Sequence, residues 1–193
     1  VPDSLTYDLT AWALTYILNL KAYAVKEKLV TDGREVLIQK NTNEVQFEKP
    51  YAYIINFKGF NEIRFISELH KKNIRFRYGS HAFSIQGIKY NRGSLVVARG
   101  DNPGQGNNLD VIITTIANNT NIKLHAVNSG MVESGYDLGS DYFILKKKPK
   151  AAIICGPGIN APSVGYLWYF FEQELEYPVN LLNIENSERS DFS

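Results

Sequence analysis

The stretch from Lys150 to Leu182 constrains the fold of this chain more than any other part of it. Ala151 to Cys155 is continuously apolar with no alternation, the pattern of a strand covered on both faces, as in a parallel sheet. Gly156, Pro157 and Gly158 stop that strand, and Pro162 with Ser163 marks a helix start. Val164, Leu167, Trp168, Phe171 and Leu175 then recur at the spacing of one helical face, before Pro178 ends the helix and Val179 to Ile184 reads as a second strand. Together they predict a β-α-β unit.

The same alternation starts at Pro50. Tyr51 to Phe57 reads as a strand, Asn61 to Lys72 as a helix with Ile63, Ile66 and Leu69 inward, and Ile74 to Tyr78 as a strand again. Phe83 to Tyr90 and Ser94 to Ala98 are strand-like segments parted by Asn91-Arg92-Gly93, which predicts a hairpin between them. After a loop of turn formers from Gly100 to Asn107, Leu109, Ile112, Ile113 and Ile116 predict a helix capped by Asn107 or Asn108. Ile122 to Val127 reads as the next strand, and Asp141 to Leu145 as a short one after a glycine-containing loop. Three strand-helix-strand units in succession predict an α/β fold: a mostly parallel sheet with helices on both faces. Ahead of them, Asp3 to Leu29 reads as a helix apolar on all sides, and Glu35 to Gln46 as irregular chain or a weak edge strand. The expected organisation is an N-terminal helix and connector over 1–48 and an α/β module over 49–193, the helix packing on the module or on a missing catalytic domain.

Charge and cysteine content narrow the function classes. The 21 basic and 20 acidic residues nearly cancel, which removes the clustered positive charge on which nucleic-acid binding rests. One cysteine excludes an internal disulfide. The most apolar window, Leu9 to Leu20, runs about 12 residues against the ~20 that a bilayer requires, so no membrane span is expected. Val1 is not an initiator methionine, and the chain reads as cut from something longer or processed. Its end at Ser193, soon after the last strand, suggests a truncated sheet with an exposed edge through which a homodimer could form.

No complete catalytic constellation is visible, and no catalytic, cofactor-binding or metal residue is assigned. Gly156 to Ala161 fits the loose dinucleotide pattern, but Pro162 delays the helix whose free N–H groups would face a pyrophosphate. Cys155 lacks the small neighbours of a nucleophile elbow and reads as structural. His70, His81 and His125 do not begin a His-x-x-Glu spacing, so no zinc site is predicted. Arg99-Gly100-Asp101 reads as a turn, Asn118-Asn119-Thr120 as a helix terminus, and the lysines from Lys146 to Lys150 as a solvated connector.

Structural motifs near both ends carry a family resemblance. Asp3 to Trp12, Tyr90 to Val97, Asp137 to Ser140, and the stretch from Lys150 to Leu182 with its Gly165-Tyr166-Leu167-Trp168 helix resemble the region that follows the catalytic domain in large bacterial zinc carboxypeptidase-like proteins. The resemblance implies a flavodoxin-like module, similar to class I glutamine amidotransferases, in an exported, periplasmic or secreted parent. It implies no cofactor in this chain, zinc in the parent's catalytic domain, and that domain as partner in the same polypeptide. Thr15 stands where the family's first helix has a proline. The function so implied is a non-catalytic accessory module that shapes substrate access. The alternatives are a free-standing peptide- or glycan-binding module, suggested by the many tyrosines, and an amidotransferase-like enzyme using Cys155.

Overall fold

A computed structural model describes residues 15, 20–30, 33, 40–45 and 48–185. The chain divides into two compact units, residues 1–38 and 39–193. In the first, residues 20–30 are exposed and not helical, so the expected opening helix does not reach Leu29. Residues 20–30 bury no face that would hold them in a helix. The remainder of that expectation, apart from helical Thr15, lies outside the described residues.

The second unit runs β1 (Ala52–Ile55), α1 (Phe60–Lys71), β2 (Phe76–Gly79), β3 (Phe83–Ile85), β4 (Ile88–Tyr90), β5 (Leu95–Ala98), α2 (Leu109–Asn119), β6 (His125–Val127) and β7 (Phe143–Lys146). Then come β8 (Ala152–Cys155), α3 (Ala161–Tyr169) and β9 (Asn180–Asn183). Five strands form the main sheet in the order β6-β1-β5-β2-β7. Every neighbouring pair in it is antiparallel. This overturns the flavodoxin-like, mostly parallel sheet expected from sequence.

The correction has a physical reason. Helices α1 and α2 each join two strands of like direction, but those strands are not neighbours: β5 lies between β1 and β2, and β1 lies between β5 and β6. This is the split β-α-β connectivity of ferredoxin-like sheets. The unbroken apolar runs in β1 and β5 correctly signal two covered faces. What covers them differs from the expectation, because among the described residues helices pack on one face of this sheet only. Tyr53, Ile55, Leu95 and Val97 point to that face and pack with Phe65 and Leu69 of α1 and Ile113 and Ala117 of α2. Ala52, Ile54 and Val96 point the other way, into a second core with Phe83, Ile85, Tyr90, Leu138 and Phe143. A hairpin and a loop close the face where helices were expected.

That hairpin is β3 with β4, registered Phe83↔Tyr90 to Ile85↔Ile88. It therefore lies inside the segment read as one strand, and β5 pairs with β1 and β2 instead of with β4. Its two-residue turn, Gln86-Gly87, has φ of 53° and 71°, the double positive pattern of a tight hairpin turn, carried here without the usual Asn-Gly letters. At α2 the expected asparagine cap is absent: Asn108 makes no side-chain capping bond, and a 3-10 turn over Pro103–Asn108 leads into the helix.

The β-α-β unit of the C-terminal stretch does form, with β8 and β9 parallel and Ile153 opposite Leu181. Asn160 caps α3, accepting hydrogen bonds from the Ser163 backbone N–H and hydroxyl at 2.9 Å each. Only Ile153 of β8 is buried while Ile154 is exposed, so this strand is not covered on both faces as its letters suggested. The chain after α3 fastens the unit to α1: Ser67 Oγ donates to the Leu175 carbonyl at 2.7 Å and Arg64 Nε to that of Glu174 at 2.9 Å.

Asn102 ties β2 to the end of β5. Its Oδ1 accepts from the Arg75 N–H at 2.7 Å, and its Nδ2 donates to the carbonyls of Arg75 and Ala98 at 2.9 Å each. The side chain is buried, so Asn102→Ala is expected to cost about 2–3 kcal/mol, read as a lower urea midpoint with an unchanged slope. An unchanged midpoint contradicts this reading.

Candidate functional site

Because β1 and β6 run antiparallel with Ile54 opposite His125, the residues leaving β1 face those entering β6. Between them lies a cleft of about 600 Å³ whose wall includes Asn56, Lys58, Phe60, Asn61, Lys123 and His125. Asn41 and Asn121 also line it. Asn41 is held by Asn121, whose Oδ1 accepts the Asn41 N–H at 2.7 Å, and Asn43 Nδ2 donates to the Ile122 carbonyl at 2.7 Å. Asn121 itself sits at φ 57°, a left-handed turn that asparagine tolerates well.

The charges in the cleft are asymmetric. Glu62 is committed to the helix start, its Oε2 accepting the Gly59 N–H at 2.7 Å. Lys58 and Lys123 have no ion-pair partner among the described residues. His125 Nδ1 lies 2.6 Å from the hydroxyl of buried Tyr90. Burial pushes the Tyr90 phenol up to about 12, so it keeps its proton. Donated to Nδ1, that proton selects the His125 tautomer with hydrogen on Nε2.

Both His70 and His125 are held below the ordinary imidazole value. For His125 the cause is burial, then Lys123 and Lys58; for His70 it is burial, then Lys148. A histidine depressed in this way binds its proton first in the unfolded chain. Its contribution is whole above about pH 6.5 and is lost as the pH falls from there through the folded-state value. The melting temperature is therefore expected to fall between about pH 7 and pH 6, with a shallower slope in His125→Gln. An equal slope in the variant removes His125 from the account.

The residues weighed from the sequence are scattered. Cys155 is a free, half-buried thiol at the end of β8. Gly156 beside it has φ 118°, and a Cβ there would meet Asn183 Oδ1 at 2.6 Å, so this glycine serves close packing. Arg99-Gly100-Asp101 is a 3-10 turn whose charged ends are both tied up: Arg99 to Asp110 at 2.5 Å and Asp101 to Arg77 at 2.6 Å. Asn118 sits in the last turn of α2 with its Oδ1 accepting from Asn43. His81 lies 3.0 Å from Ser80 Oγ, yet that hydroxyl donates to the Tyr142 carbonyl at 2.9 Å, so the pair is not a nucleophile and its base. The cleft residues Lys58, Asn61 and Lys123 were missed by sequence reasoning. Lys58 and Asn61 lie more than sixty residues before Lys123, and no spacing rule joins them.

Among the described residues no helix is long and apolar enough to cross a membrane, and no group of three or more His, Cys, Asp or Glu could hold a metal ion. No family model, curated protein or solved structure matches this chain.

Proposed function

We propose that this chain is a non-catalytic accessory module of a zinc carboxypeptidase-like protein, and that its polar cleft holds an anionic part of a peptide or glycan near the peptidase domain. The cleft carries the reading. Two lysines without ion-pair partners among the described residues, the neutral His125 and the amide of Asn61 surround the half-exposed Phe60 ring. Such groups bind carboxylates and hydroxyls and stack on apolar faces, and none is a nucleophile beside a base. The motif residues behind the family resemblance have structural work: Ser94 Oγ donates to the Asn91 carbonyl at 2.7 Å, Asp137 Oδ1 accepts the Val132 N–H at 2.9 Å, and Leu138 fills the second core.

Thermal shift of the purified chain against muropeptides and acidic oligosaccharides tests the binding. A ligand at a hundred times its Kd is expected to raise the melting temperature by about 5 °C or more, and Lys58→Ala with Lys123→Ala to abolish the rise. Tight stoichiometric zinc together with release of C-terminal residues from peptides by the pure chain contradicts the non-catalytic role.

A further inference from the structure

A second opening, distinct from the polar cleft, lies beside α1. The sheet is wider than its two helices cover, and β7 extends it beyond β2 at the edge. There a groove of about 560 Å³ has Phe76, Tyr78 and Leu95 on its floor and Ile66 and His70 of α1 on its wall. Phe57, Gly93, Lys146, Lys147 and Pro149 complete the lining. That volume is within the usual range for a small-molecule site, as is a mostly apolar wall with a few polar groups.

Two observations say what the groove is made to hold. His70 is only 7% exposed, its ring contacts are with Phe76 at 5.3 Å and Tyr177 at 6.2 Å, and neither ring nitrogen has a hydrogen-bond partner in the described structure. Neither nitrogen is sealed from the groove, so its partner is water or a ligand lying there. Among the described residues the charges at the rim are all of one sign: Lys146 and Lys147 line the groove, Lys148 lies close enough to act on His70, and no acidic residue lines it. The Lys146 ammonium rests 4.6 Å from the Tyr78 ring centroid, poised between the apolar floor and solvent.

We propose that this groove binds a medium-chain fatty acid, its acyl chain against Phe57, Ile66, Phe76 and Leu95 and its carboxylate on His70 and Lys146. An acyl chain adds no polar group to the apolar floor. A peptide laid there would bring amides, and among the described lining residues only the side chains of His70, Tyr78, Lys146 and Lys147 carry polar groups to meet them. The carboxylate accepts from the imidazole N–H and the ammonium, and so supplies the missing partner.

The test is titration of the full chain with dodecanoate below its micelle concentration, followed by calorimetry and by the imidazole NMR signals of His70. One saturable site that shifts the His70 signals is expected, with hexanoate at least about a hundredfold weaker because fewer methylenes are buried. Lys146→Ala with Lys147→Ala is expected to weaken dodecanoate about tenfold or more. Ile66→Trp fills the groove and abolishes binding while circular dichroism stays unchanged. Three results overturn the proposal: no saturable binding, binding indifferent to Ile66→Trp, or shifts confined to the exposed aromatic residues of α3. Preference for an apolar acidic peptide over dodecanoate overturns the choice of ligand.

Discussion

Replacing Asp110 with alanine is expected to destabilise the second unit by about 3–5 kcal/mol, a large share of the total of about 5–15 kcal/mol that a domain has. Asp110 is 4% exposed in the first turn of α2. It accepts the Tyr53 hydroxyl at 2.7 Å and the Arg99 guanidinium at 2.5 Å, linking α2 to β1 and to the turn after β5. Without it the phenol of Tyr53, itself 1% exposed, has lost its acceptor, and Arg99 keeps only the carbonyls of Pro50 and Gly106 at 3.1 and 3.4 Å. Asp110→Asn keeps an acceptor for Tyr53 and is expected to cost less. Tyr53→Phe removes the orphaned hydroxyl, so the double variant Tyr53→Phe with Asp110→Ala should lose less than the sum of the two single changes. Chemical denaturation of the four proteins measures this, and strict additivity would show that the three side chains do not act as one unit.

Phe83→Ala is the second large effect, at about 3–5 kcal/mol. The ring is buried, stacked on Tyr90 with centroids 5.0 Å apart and edge-on to Phe143 at 5.1 Å. Gly135 packs against the strand at this residue, where a Cβ would come within 2.8 Å of Phe83 Cβ and 2.9 Å of the Ala82 carbonyl oxygen, so the loop is already fitted closely to β3 and has little room to collapse inward. The loss falls on the face of the sheet away from the helices. Hydrogen exchange is therefore expected to lose protection in β3, β4 and the 129–142 loop before α1 and α2, which pack in the other core. Uniform loss across both helices would show that the two cores are not separable.

The sequence made the elements legible and left their arrangement hidden. Periodicity placed α1, α2 and α3, and apolar runs placed β1 and β5, because both signals are local. Strand order was not local. Val96 and Ile54 are apolar whether a helix or a hairpin lies over them, so the letters could not distinguish a parallel α/β sheet from this antiparallel one. The β3-β4 turn was missed since Gln86 reaches positive φ without being Asn or Gly. β7 was legible only as a short strand, and its place beside β2 depends on pairing across more than sixty residues. The sites were still less visible. His70 was weighed only for a zinc spacing that it does not begin, and the lysines after β7 read as a connector. Only the fold sets Lys146 over Tyr78, and Lys123 across the cleft from Lys58.

Both candidate sites depend on one arrangement, β5 lying between β1 and β2. It sets the mouth of the polar cleft at the β1–β6 pair and the floor of the groove across β5 and β2. The most direct test is a nuclear Overhauser map of the interstrand backbone protons. The account predicts close Hα–Hα contacts at alternate pairs of the register from Ala52↔Ala98 to Ile55↔Leu95, and again between β5 and β2 around Arg77↔Val96. Direct contacts between β1 and β2 in parallel register, with β5 elsewhere, would contradict the fold and both sites with it.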